Sequence, residues 1–181
     1  MHFKGINNYG EIGLILDFGS DSSKSISQEV HFIYSKLLNL ELNSLNTVPS
    51  FNKIVITFAS SEGRERGLHE IEKKLKNLDI KNTIKERKHW QIPTCYDDEY
   101  GLDLELIQKT TQLTKEEVIV KHSQKSYYTY YIGFMPGFPY LGDIDQSLIT
   151  PRLTSPRIQI PARSVGIANK HTCVYPKISP G

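Results

Sequence analysis

The pattern of apolar and polar positions splits the chain into two halves of different character. Glu11–Gly19, "EIGLILDFG", is an apolar run that ends at a glycine and reads as a strand. Ser25-x-x-Gln28 reads as a capping box. It opens a helix whose Ile26, Val30, Ile33 and Leu37 lie on one stripe. A short extended piece broken by Pro49 precedes a strand over Asn52–Ser60, where Ile54, Ile56 and Phe58 alternate. Arg64–Leu78 repeats the helical period, with Leu68, Ile71, Leu75 and Leu78 inward, and the chain becomes extended again around Ile84–Trp90. The order β–α–β–β–α–β predicts a ferredoxin-like α+β domain over residues 1–90.

Residues 91–181 follow a different rhythm. A short helix is expected from Leu102, and Thr114-x-x-Glu117 is a second capping box that opens a helix reaching His122. After Lys125 the pattern turns to strands, with Tyr128, Tyr130, Ile132 and Phe134 sharing one face at period two. Recurrent proline and glycine predict a β-barrel or sandwich with tight corners.

Composition narrows the function classes. Hydrophobic residues make up 38% and charged residues 23%, as in ordinary soluble globular proteins. Twenty-two basic against 20 acidic residues leave +2, which gives nucleic-acid binding no support. No apolar run approaches the roughly 18–20 residues that span a bilayer, so no membrane association is expected. The amino end lacks an apolar signal region, and a cytoplasmic protein is the default. Cys95 and Cys173 have no CxxC or paired-histidine context. Both are expected as buried small apolar side chains, and no metal site is expected.

The chemistry concentrates late in the chain. Seven of the 17 Tyr and Phe residues lie between Tyr127 and Tyr140, and seven of the nine prolines follow Met135. Within "GFMPGFPYLG", Pro136-Gly137 suits the centre of a type II turn, and Pro139 biases Phe138 toward extended geometry. Phe134, Phe138 and Tyr140 are thereby either the packing of a hairpin corner or a preorganised wall for a small ligand. Arg152 and Arg157 each follow a proline, and two guanidinium forks so placed would clamp a carboxylate or phosphate; the alternative is two solvated loop arginines. His122 is either a helix-terminal imidazole whose charged form favours the dipole or a general acid–base. His171 lies near Ser164 and Thr172 and has the same two readings. Asp97, Asp98, Glu99 and Asp103 read as a solvated loop and a helix start, with Asp103 the one candidate for holding a cation or acting as a base.

These stretches carry a resemblance. "GFMPGFPYLG", "TPR", "SPR", "PARSVGIANKHTCVYP" and "SPG", with the upstream "IPTCYDDEYGLDLELI" and "VIVKHS", resemble the KipI/PxpB family of 5-oxoprolinase B-type subunits. That family is also described as allophanate hydrolase subunit 1-like, of carboxyltransferase subdomain C/D type. The resemblance implies a ferredoxin-like domain followed by a cyclophilin-like β-barrel, here shortened at its carboxyl end. It implies ATP-dependent opening of 5-oxoproline to L-glutamate, carried out with a companion allophanate hydrolase subunit 2-like protein. Ring opening is uphill, so ATP, with any magnesium accompanying it, would activate the lactam carbonyl. Arg152 and Arg157 would hold the anionic lactam or amide substrate, Phe138 and Tyr140 would wall its ring, and His122 or His171 would manage a proton. Phe134, Pro136, Gly137, Ser164 and Thr172 would complete the binding site. The alternatives are an inhibitor of a sensor histidine kinase and an inactive shortened paralogue. The chain departs from the family pattern where Arg163 replaces a glycine, Asn169-Lys170 replace a Gly-Gly pair and His171 replaces a glutamine. Left-handed backbone at those positions would suit asparagine better than lysine.

Overall fold

The computed structural model describes residues 2–78 and 88–181. Contacts divide the chain into two compact units, Met1–Arg87 and Lys88–Gly181. Both contain a wholly antiparallel four-stranded sheet. No helix among the described residues is long and apolar enough to cross a membrane.

In the first unit the elements run β1 (Gly5–Tyr9), β2 (Gly13–Asp17), α1 (Lys24–Leu37), β3 (Asn46–Pro49), β4 (Lys53–Thr57) and α2 (Ser61–Lys76), with sheet order β1-β2-β4-β3. β2 and β4 alternate as expected and send Leu14, Leu16, Ile54 and Ile56 to zero exposure. Ile26, Val30, Ile33 and Leu37 of α1 pack on them with Ile71 of α2. α2 lies close because Gly67 has no side chain: a Cβ there would come within 2.3 Å of the Phe58 ring.

Two local expectations change. The cap of α1 is Ser23, whose hydroxyl accepts from the Ile26 amide at 3.3 Å, so the helix begins before the expected Ser25 box. β1 was not expected, because "GINNY" lacks an apolar alternation; it pairs with the full length of β2. β1 and β4 occupy both edges of β2. Of the extended segment expected at Ile84–Trp90, residues 84–87 lie outside the described residues and 88–90 form no regular element.

The second unit runs α3 (Leu104–Thr111), α4 (Lys115–Ser123), β5 (Tyr128–Ile132), β6 (Pro139–Gly142), a 3-10 turn at Gln146–Leu148, β7 (Val165–Ala168) and β8 (His171–Val174). Its sheet order is β5-β6-β8-β7. The Thr114–Glu117 capping box forms in full, with both reciprocal bonds present. Leu104, Val118, Ile144 and Leu148 make a small core, joined by Tyr127 and by Ile167 from β7.

The period-two reading of β5 fails at a bulge. Thr129 pairs with Leu141 and Tyr131 with Tyr140, leaving Tyr130 as the extra residue. Ile132 and Phe134 are exposed, at 61% and 63%, and do not share the buried setting of Tyr130. Cys95 is also exposed rather than buried; its thiol donates to Asp97 Oδ2 at 3.4 Å.

Candidate functional site

Register divides the second sheet into two faces. Tyr140 and Gly166 flank Cys173, and Gly142 and Ala168 flank His171, so these residues project to one side. Leu141 and Ile167 flank Thr172 on the other side, where Ile167 meets the helical core. Because of the bulge, neighbouring Tyr130 and Tyr131 both join the first side: Tyr130 lies ring-to-ring with His171 at 5.7 Å, and Tyr131 stacks on Tyr140 at 4.4 Å and 12°.

The expected turn at Pro136-Gly137 is present. The Phe138 amide donates to the Met135 carbonyl at 3.1 Å, and Gly137 has φ +82, the type II value. Pro136 and Gly137 are exposed at the tip. Phe138 is 4% exposed and sits among Phe134, Tyr140 and Tyr175, with centroids 5.4, 5.0 and 5.0 Å away. It packs edge-on against the wall, while Tyr140 and Tyr131 supply its half-buried surface.

The two arginines part company. Arg152 stands close enough for its charge to act on Tyr131, His171, Cys173 and Tyr175. It has no carboxylate at ion-pair distance among the described residues. Arg157 is instead paired with Asp103, and its backbone ladders with Gly181. Asp103, at the start of α3, therefore makes no capping bond. Asp98 pairs with Lys115 at 2.6 Å.

The two histidines also separate. His122 is 6% exposed and lies on the helix side of the sheet. Its Nδ1 is 2.6 Å from the Tyr96 hydroxyl and its Nε2 is 3.1 Å from Thr172 Oγ1. Thr172 donates its own proton to the Gly166 carbonyl at 3.0 Å, so its oxygen accepts from Nε2–H and Tyr96 donates to Nδ1. Burial holds the His122 pKa below its usual value, so a charged imidazole serving the helix dipole is not the state found. His122 and Thr172 form a polar pin behind the sheet.

His171 lies on the ring-lined face, and burial, with Lys170 and Arg152 nearby, also holds it low. Burial pushes the Cys173 thiol up to about 11, so it is a neutral thiol rather than a nucleophile near neutral pH. Ser164 contributes backbone: its carbonyl accepts from Tyr175 at 2.9 Å. Asp143, which sequence reasoning passed over, is placed beside Tyr130, whose hydroxyl donates to both carboxylate oxygens at 3.2 Å. Nothing in the local pattern signalled Asp143, because its partner lies across the sheet.

Over residues 4–181 the chain matches the family described as carboxyltransferase domain, subdomain C and D. The chain belongs to this family. Within it, the chain is similar to the B-type subunit of 5-oxoprolinase from Bacillus subtilis (strain 168), 32% identical over 187 residues, covering 97% of this chain and 78% of the relative. It is also similar to the corresponding 5-oxoprolinase subunit of Haemophilus influenzae, 47% identical over 94 residues, 52% of this chain and 44% of that protein. Among solved structures, TTHA0988 superposes with a TM-score of 0.79 at 29% identity, covering 93% of this chain but only 33% of its own length. The chain thus spans a third of the TTHA0988 chain.

The departures from the family pattern can be placed. Arg163 has φ +69 and Asn169 φ +53, both left-handed, whereas Lys170 is not left-handed. The expected discomfort at Lys170 is absent, and the strain falls on Arg163 instead.

Proposed function

We propose that this chain is the B-type subunit of an ATP-dependent 5-oxoprolinase, and that the ring-lined face of its second sheet binds the compact anionic lactam. We read the two units as a ferredoxin-like layer and part of a cyclophilin-like barrel wall. The observation that carries this reading is Arg152, an exposed cation with no ion-pair partner among the described residues, whose charge acts on Tyr131, Tyr175, Cys173 and His171. A carboxylate on the ligand would meet that guanidinium, while Tyr140 and Tyr131 would cover the apolar ring carbons. His171, kept neutral, could accept or donate a proton near neutral pH.

The residues present do not suit ATP. No phosphate-binding glycine loop occurs, and the described residues hold no group of three or more His, Cys, Asp or Glu side chains able to take a metal ion. ATP and its magnesium are therefore assigned to the companion subunits.

ATP-dependent glutamate release by the reconstituted complex tests the reading. Arg152→Ala should lower kcat/KM about 10- to 100-fold, the cost of one charge-assisted contact, with partial recovery in Arg152→Lys. Arg157→Ala should affect stability more than turnover, since Arg157 is held by Asp103. Unchanged kcat/KM in Arg152→Ala would reject the site.

A further inference from the structure

The ring-lined face carries an anchored anion as well as a cation. Asp143 follows β6 directly, and its side chain is held by the Tyr130 hydroxyl through both oxygens. Tyr130 is 1% exposed and wedged between Tyr128, at 5.1 Å, and His171. Gly142 makes room for this: a Cβ there would come within 2.8 Å of both His171 Nδ1 and Tyr130 Cε2. Asp143 is itself exposed, so a fixed carboxylate faces outward.

Neither Asp143 nor Arg152 takes part in an ion pair among the described residues. Both charges nevertheless act on His171, Asp143 raising its pKa and Arg152, with Lys170, lowering it. The Thr150 carbonyl, two residues before Arg152, accepts from the Asn169 amide at 2.7 Å, two residues before His171. A ligand carrying only negative charge would gain at Arg152 and lose at Asp143. One carrying both signs would gain at each, because opposite charges a few ångströms apart in a partly dry site attract strongly.

We propose that this face recognises an α-amino acid zwitterion, with Arg152 taking the carboxylate and Asp143, anchored by Tyr130, taking the ammonium group. The inference rests on the proposed function and deepens it. Hydrolysis of the lactam breaks the ring C–N bond, gives the water oxygen to the carbonyl carbon and leaves both water protons on nitrogen. A neutral N–H thus becomes an ammonium, the group for which Asp143 is placed.

Calorimetric titration of the purified full chain with L-glutamate, glutarate and 5-oxoproline tests this. Glutarate has the carbon chain and both carboxylates but no ammonium. L-Glutamate should bind at least about 10-fold more tightly than glutarate, a difference expected of one ionic hydrogen bond. Asp143→Asn, nearly isosteric, should erase that preference, and Arg152→Ala should weaken all three ligands. Equal binding of glutamate and glutarate by the unaltered chain overturns the inference. So does a preference that survives Asp143→Asn. If 5-oxoproline still binds in an Arg152-dependent way in those cases, the proposed function stands without the inference. No binding of any of the three ligands overturns the inference and removes the binding face from the proposed function.

Discussion

The two units contain sheets of the same size put to different uses. In the first, helices of 14 and 16 residues press apolar stripes onto β2 and β4, and four sheet residues, with Phe18 and Phe58 just after the two strands, fall to 1% exposure or less. In the second, helices of 8 and 9 residues cover one face with a core of four buried apolar side chains. The opposite face shows tyrosines, an imidazole, a thiol and two charges that lack an ion pair among the described residues. Burial is the main stabilising term in folding, so a sheet with one face only partly covered gives up part of its own stability. The first unit is organised around a core and the second around an open face.

Measurements on both sheets break or sharpen that contrast. Ile56→Ala in the first sheet should cost about 2–5 kcal/mol through transfer and cavity terms, read as lost amide protection in β4. Tyr131→Ala on the open face should cost less, because a half-buried ring gives up less apolar area, to which its stacking on Tyr140 adds about 0.5–1.5 kcal/mol. Equal losses would erase the distinction. Gly142→Ala should cost about 1–3 kcal/mol by overpacking, confined to amides of β6 and β8, because the methyl would press on Tyr130 and His171.

Acid should act on the second unit first. Burial depresses both His122 and the more exposed His171 in the folded chain. The unfolded chain takes up those protons below about pH 6.5, and the folded chain does not until lower pH. Stability is therefore complete above about pH 6.5 and falls as pH drops through that value toward the folded pKa, by at most about 1.4 kcal/mol per pH unit for each proton. Hydrogen exchange in β8 between pH 8 and 5 should show the loss, and His122→Gln should reduce the slope by one proton whatever it does to the midpoint. A pH-independent β8 would contradict the buried neutral pin. The smallest effect is at the left-handed turns. Arg163→Gly should raise the urea midpoint of the second unit by the equivalent of about 0.5–1 kcal/mol, and Asn169→Gly by much less, since asparagine already tolerates that backbone. No gain at Arg163 would mean its side chain contributes more than its backbone costs.

Short-range rules were legible in the chain. The stripe of α1, the alternation of β4, the Thr114 capping box and the Pro136-Gly137 turn each depend on residues within a few positions. β1 was missed because its pairing with β2, rather than its own composition, makes it a strand. The site was only half legible. Arg152 and the aromatic wall stood out, but Arg157 was claimed by Asp103, 54 residues away, and His122 by Thr172, 50 residues away.

By itself, then, the sequence determined two sheet layers with helices, the proline-locked corner and the family. Tertiary structure alone decided which side of the second sheet each functional group occupies. The reason is geometric: one bulged residue in β5 turns two adjacent tyrosines to the same face. Ion pairs and buried hydrogen bonds between distant segments then select which candidate side chains remain available to a ligand.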